Sequence, residues 1–248
     1  MTARPSVSRR PFLTARWEHL LLLNYAVDPA LLAPLVPRGT ELDFWDGRAL
    51  CSLVGFRFVD TRLLGIPVAW HRDFDEVNLR FYVRRTTADG DVRRAVVFIR
   101  ELVPRWAIAT LARLVYNEPY LAVPMDHTVE VSPDRGGPVA YRWRHDGQPF
   151  ALEATVSGAP LPLAADTEAE FITEHYWGYT RQRDGGTLEY QVEHPRWRVW
   201  DAVSPAFTGP AANLYGPAFG EILKGKPQSA FVAEGSPIVV HKGRRIQG

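Results

Sequence analysis

The sequence predicts an α+β protein built mostly on a large antiparallel, curved β-sheet or barrel with a few short helices. Three observations lead there. About ten or more short apolar or alternating runs are separated by turn signals such as Asp-Gly, the pattern of strands joined by hairpins. Only three or four stretches carry helical features, and all are short. No linker rich in Pro, Gly or Ser interrupts the 248 residues, and no repeat or low-complexity stretch appears, so residues 1–248 are expected to form one domain. Closure into a barrel is favoured because so many strands must hide their edges.

Each element follows from local chemistry. Residues 17–26 are apolar and extended. Asp28-Pro29 supplies an N-cap and a first helical residue, so a short helix over "PALLAPLV" is expected, ending near Pro37. "ELDFW", Asp46-Gly47 and "RALCSLVGFRFVD" predict a hairpin, and residues 61–73 a loop. "EVNLRFYVRR", residues 76–85, alternates: Val77, Leu79, Phe81 and Val83 share one face, and Glu76, Asn78, Arg80 and Tyr82 the other. "ADGD" turns the chain into the strand "VRRAVVFIREL".

Residues 104–117 place Trp106, Ile108, Leu111, Leu114 and Val115 at helical spacing, and Pro119 ends that helix. Residues 127–158 hold three strands of a meander. Thr167 and Glu170 form a capping box at the start of a short helix. "YWGYTRQ" and "TLEYQVEH" flank "RDGG" as a hairpin, and "RWRVWDAV" is a further strand. "NLYGPAFGEIL" predicts a short helix weakened by Gly and Pro. The tail predicts two final strands around Gly235-Ser236.

Composition narrows the chemistry. The formal net charge is +1, so no global field points to nucleic acid or to an anionic membrane. Cys51 is the one cysteine; it cannot form an intramolecular disulfide, and its apolar surroundings predict a core thiol. The basic N-terminus leads into no long apolar segment, and no run is long enough to span a bilayer. A soluble cytoplasmic protein is the expectation. The seven histidines show no metal-pair spacing, no nucleotide, P-loop or serine-hydrolase motif occurs, and neither a metal nor a cofactor is expected. The only lysines are Lys224, Lys226 and Lys242. Schiff-base chemistry therefore has no amine to use before residue 224.

Three places carry candidate chemistry. On the polar face of 76–85, Arg80 would grip a carboxylate if that face looks into a barrel lumen; otherwise the face is a solvated exterior. Arg113, Tyr116 and Asn117 share a helical stripe just before Tyr120 and form either a pocket wall or a buried network that fixes the helix. In "EHPRWRVW", His194, Trp197 and Trp200 are expected to be structural.

The same segments carry a resemblance. Trp17, "VDPALLAPLVPRGTELDFWDGRALCSLVGF", the Gly65-Ile66-Pro67 loop, "FDEVNLRFYV", "VVFIREL", "LARLVYNEPYLAVPM" and "HPRW", in this order, resemble the DUF2071 (YqjF-like) family of uncharacterised bacterial proteins. That family falls in the acetoacetate decarboxylase-like superfamily. The resemblance implies a barrel-like sheet around a central cavity, and homo-oligomers. It also exposes a departure. Where the decarboxylase carries its two active-site lysines after a proline, this chain has Tyr120 and Leu121 after Pro119; Ala26 stands in the place of an arginine, and Glu76 matches a glutamate.

These readings converge on a small organic molecule in the central cavity, with no nucleic-acid or membrane partner. Glu76 and Tyr120 are the candidate catalytic groups, as general acid or base and as carbonyl polariser. Asn78, Arg80, Arg113 and Tyr116 are the candidate substrate-binding groups. A lyase, hydratase or tautomerase without a Schiff-base lysine suits this set. A non-catalytic metabolite binder, or an interaction protein whose cavity is filled by side chains, would use the same fold.

Overall fold

Strand alternation around residue 80 sets the architecture. Val77, Leu79, Phe81 and Val83 are fully buried, and so are Asn78 and Glu76 on the opposite face, so the strand has no solvated side. A strand covered on both faces belongs inside a closed or doubly packed sheet. The computed structural model describes residues 11–68, 72–104, 117 and 119–246. Its strands are β1 (Pro11–Val27), β2 (Glu41–Leu42), β3 (Ala49–Leu63), β4 (Ile66–Pro67), β5 (Phe74–Thr86), β6 (Val92–Val103), β7 (Tyr120–Ala122), β8 (Met125–Val129), β9 (Gly136–His145), β10 (Gln148–Ser157), β11 (Leu161–Pro162), β12 (Trp177–Arg181), β13 (Thr187–Glu193), β14 (Arg198–Asp201), β15 (Val203–Thr208), β16 (Ser229–His241) and β17 (Arg244–Ile246). The short helices are α1 (Pro29–Leu32), continued by a 3₁₀ turn over Ala33–Leu35, α2 (Glu168–Thr173), α3 (Ala212–Tyr215) and α4 (Pro217–Lys224).

The large sheet closes on itself. Its path runs β16-β1-β3-β5-β6-β12-β13, and β13 pairs back to β16 through Val192↔Val240 and Glu193↔Val239. All steps are antiparallel except β6–β12. Closure removes the exposed edges that a sheet of this length would otherwise present. A second, four-stranded sheet (β15-β10-β9-β8) packs outside the barrel. Between them lies one apolar layer, with Leu21, Leu23, Leu53, Leu79 and Phe81 from the barrel against Tyr141, Trp143 and Leu152. Phe219 and Leu223 of α4 extend that layer. A Cβ on Gly55 would come within 2.6 Å of the Tyr141 ring, so glycine there allows the sheets to approach.

Bulges decide which residues face the lumen. Along β1 the lumen side carries Ala15 and Trp17, then Leu20 and Leu22, so the inward parity switches at His19, whose φ is +52°. The His19 carbonyl, turned outward, accepts a hydrogen bond from the Tyr141 hydroxyl at 2.8 Å. In β6 a register shift opposite Leu79/Arg80 switches parity between Phe98 and Glu101, so both reach the lumen.

Several expectations need correction. The Asp46-Gly47 turn is present as a Trp45↔Arg48 bridge, but its leading strand β2 pairs with β5 and not with β3. Within the expected 61–73 loop, β3 runs to Leu63 and turns at Leu64-Gly65 into β4. Gly235 makes no turn: β16 passes straight through it, and the glycine lies where a Cβ would be 2.0 Å from the Trp17 carbonyl oxygen. The Glu170 carboxylate reaches back to Asp166 N, one residue before the Thr167 cap, while Thr167 Oγ1 accepts from Glu170 N as expected. Gly216-Pro217 splits the expected helix into α3 and α4. The helix expected over 104–117 falls almost wholly outside the described residues, and with it Arg113 and Tyr116. Among the described residues, no helix is long and apolar enough to cross a membrane.

Candidate functional site

The barrel encloses a cavity of about 160 Å³. The polar face of β5 lines it. Glu76, Asn78 and Arg80 project inward in successive steps and are 3%, 1% and 9% exposed. Tyr120, the first residue of β7, lines the same wall. Its placement follows from parallel pairing with β6, which sets it beside Glu101. Glu101, in turn, lies directly opposite Asn78 in the β5–β6 ladder and is 1% exposed. Two buried carboxyl groups therefore flank one amide.

Hydrogen bonds fix this group. Asn78 Nδ2 donates to Glu76 Oε1 at 2.9 Å, and the Tyr120 hydroxyl donates to Glu76 Oε2 at 3.4 Å. The first bond orients the amide, because a carboxylate accepts and must face the NH₂ end. Asn78 Oδ1 is then left buried without a partner, and so is Arg80 Nε. Deeper along the strand, Tyr82 belongs to a buried polar floor: Ser52 Oγ lies 2.6 Å from the Tyr82 hydroxyl and donates to Asn24 Oδ1 at 2.6 Å.

Histidines complete the lining. His175, just after α2, packs on Tyr82 and Phe171 with ring centroids at 4.7 and 5.1 Å. Its Nε2 is 3.4 Å from Asp43 Oδ2, without hydrogen-bond alignment. Burial pushes the imidazole down to about 4, and the Asp43 carboxylate works against this without cancelling it. His194 stacks on Trp197 at 4.1 Å, and burial lowers it as well. Both rings are thereby held neutral near pH 7.

The opposite end of the cavity is aromatic. Trp17 meets Phe56, Phe58 and Trp197 edge-on at 5.3, 5.8 and 6.1 Å, and Phe58 stacks on Phe74 at 4.6 Å. The Trp197 indole donates to Ser236 Oγ at 2.9 Å, which fixes the segment between β13 and β14 against the barrel wall.

The structure thus brings together four of the residues singled out from sequence: Glu76, Asn78, Arg80 and Tyr120. Asn117 stands apart, with φ +57° and bonds to Arg181 O and Arg183 Nε. His194 and Trp197, expected to be structural, line the cavity, whereas Trp200 lies in the inter-sheet layer. Glu101 and His175 were missed. Glu101 sits in an apolar strand whose bulge cannot be seen in its spacing, and His175 follows a helix of only six residues. Leu121 packs on the inter-sheet layer, Ala26 is exposed, and all three lysines are exposed and away from the cavity. Among the described residues, no cluster of three or more His, Cys, Asp or Glu could hold a metal ion.

The closed, mostly antiparallel barrel has the fold of solved acetoacetate decarboxylase-like structures. The likeness covers 99% of this chain and 92% of the acetoacetate decarboxylase of Legionella pneumophila, at a TM-score of 0.63 and 14% identity. It covers 98% of this chain and 93% of the enduracididine biosynthesis enzyme MppR in complex with pyruvate, at a TM-score of 0.65 and 13% identity. Identities this low establish the fold alone. The chain itself belongs to the DUF2071 family, described as an uncharacterized conserved protein, whose model matches residues 14–237. The uncharacterized protein YqjF of Bacillus subtilis is 27% identical over 203 residues, 81% of this chain and 80% of that protein.

Proposed function

We propose that the protein binds a small organic acid or carbonyl compound in the barrel cavity and acts on it as a lyase, hydratase or tautomerase, with no amine nucleophile. One observation carries this reading: buried Glu76, Asn78 and Arg80 share one cavity wall with half-buried Tyr120, and the two oxygens of Glu76 take hydrogen bonds from different residues. Buried polar groups that converge on an enclosed space are what ligand sites are made of. Glu76 would exchange a proton with the carbon beside a carbonyl. Tyr120 would donate to the carbonyl oxygen as charge develops there, and Arg80 would hold a carboxylate where one is present. No lysine lines the cavity, which favours acid–base over imine chemistry.

A metabolite binder without turnover would use the same wall. A cavity filled by side chains is disfavoured by the space inside the barrel. The test begins with the purified protein, denatured to release any retained small molecule for mass spectrometry. That compound, or a panel of small acids and carbonyl compounds, is then followed by NMR with wild type and Glu76→Gln. Turnover by wild type that the variant loses supports the enzyme, and binding without turnover supports the binder. If nothing is retained and no panel member binds, the proposal is wrong.

A further inference from the structure

We propose that the cavity takes a benzene-sized planar compound whose head group is uncharged and both accepts and donates hydrogen bonds, as an aromatic carboxamide or an enolisable aromatic carbonyl compound does. This rests on the reading of the cavity as a ligand site and narrows it to one chemical class.

Size comes first. A dry cavity of roughly 150 Å³ lined by apolar side chains takes benzene. The barrel cavity is about 160 Å³, and its apolar end is walled by rings of Trp17, Phe56, Phe58 and Trp197. Faces and edges of that kind pair favourably with a flat ring. Phe56 lies opposite Glu76 in the β3–β5 ladder, and Asn78 is one inward step further. That step is about 7 Å, close to the length of a benzene ring with a one-carbon head.

Trp17 Nε1 and both His175 ring nitrogens are also buried in the lining without a hydrogen-bond partner, but the two unmet atoms on the polar wall of β5 define the head group. Asn78 Oδ1 has no donor and Arg80 Nε has no acceptor, although both residues are more than nine-tenths buried. Buried polar groups left unpaired are costly, so a ligand that answers both is selected. Asn78 needs an N–H or O–H, and Arg80 needs an oxygen. A carboxylate supplies only the second.

Charge argues the same way. Glu76 and Glu101 face the cavity, whereas Arg80 is the only Lys or Arg among its described lining residues. The His175 and His194 rings, lowered by burial, add no positive charge near pH 7. An anionic head would bring a third carboxyl group to one guanidinium, and a neutral head avoids that repulsion.

The experiment titrates wild-type protein with benzamide, benzoate, acetamide and acetate by ligand-observed NMR, and repeats benzamide with Asn78→Ala. Benzamide is expected to bind about tenfold or more tighter than the other three, and Asn78→Ala to weaken it about five- to tenfold, the worth of one hydrogen bond. If Asn78→Ala does not fold, Phe56→Leu serves instead and is expected to weaken benzamide at least threefold. Acetate or benzoate binding as tightly as benzamide would overturn this inference and leave the cavity reading intact. So would benzamide binding that neither variant alters. Failure of all four compounds to bind overturns the inference; the cavity reading then stands or falls on the retained compound and the wider panel.

Discussion

The Tyr120 hydroxyl donates to Glu76 Oε2 at 3.4 Å across 44 residues of chain, while Asn78 Nδ2 donates to Oε1 at 2.9 Å. One carboxyl group is thus held from two sides, rigidly by the amide and loosely by the phenol.

The two contacts predict different costs. Glu76→Gln keeps the shape and removes the proton acceptor, so turnover of the compound identified by NMR should fall about 100-fold or more. Tyr120→Phe removes one long hydrogen bond and should cost about tenfold or less in turnover, with unfolding free energy changed by roughly 1 kcal/mol or less. Equal losses for both variants, measured as initial rates, would argue against Glu76 as the proton carrier.

His175 predicts a pH dependence. Its folded-state pKa, about 4, lies below the 6.5 of an exposed histidine. Between those values the unfolded chain binds the proton and the folded chain does not, so stability falls as pH drops from about 6.5 to about 4 and this loss levels off below. His175→Phe keeps ring packing against Tyr82 and Phe171 and should flatten that decline in urea unfolding at stepped pH. Part of the slope will remain, because burial also lowers His194 and His19.

Much of this site was legible in the sequence because β5 alternates without a bulge between Phe74 and Leu79. Glu76 and Asn78 had to share a face, and only the direction of that face was open. That the sheet closes is expected from its many strands, but where it closes was not legible: the β13–β16 pairs lie 46 and 48 residues apart in sequence, and nothing local marks Val192 and Val240 as partners. Parity was lost wherever a strand bulges. The run Leu20–Leu23 is buried on both faces, so its spacing says nothing of which leucines enter the lumen. Gly235 reads as a turn in sequence because a glycine beside a serine has the same composition in a turn as at a close backbone contact.

Glu189 predicts where the barrel seam is held. Its side chain is fully buried and accepts from Arg93 at 2.6 Å, Arg244 at 2.9 Å, Arg85 at 3.1 Å and the Tyr179 hydroxyl at 2.9 Å. These residues come from β5, β6, β12 and β17, so one carboxylate ties four strands to β13. Glu189→Gln leaves Arg85 and Arg244 without their counter-charge and Arg93 with Asp91 alone. Removing one partner of a buried pair costs about 3–5 kcal/mol, and because the arginines reach solvent we expect about 2–4. Burial alone would raise this carboxyl, but Tyr179, Arg93 and Arg244 outweigh it and hold it below its ordinary 4.5. Its contribution is therefore complete above pH 4.5 and is lost as pH falls through the folded-state value. Urea unfolding of wild type and variant at pH 7 and pH 3 should show the gap between them narrowing in acid.

Gly235 predicts a coupling between backbone strain and the cavity. Its φ of +82° is a conformation that residues with a Cβ rarely adopt, and an added Cβ would stand 2.0 Å from the Trp17 carbonyl oxygen and 3.0 Å from Glu18 Cα. Those neighbours are backbone of the paired strand β1 and cannot rotate away as a side chain would. Gly235→Ala must therefore either force φ negative or push β1 outward, and both break the register Glu18↔Gly235. The strained conformation alone costs about 1–3 kcal/mol, and the backbone overlap adds to it. Trp17 is the residue whose carbonyl would be displaced, and its indole forms part of the aromatic wall, so the damage should reach the cavity. We expect a stability loss of at least ~2 kcal/mol by chemical denaturation, together with a change in native tryptophan fluorescence. A stability loss without a spectral change would place the relaxation in β16 and leave the cavity wall intact.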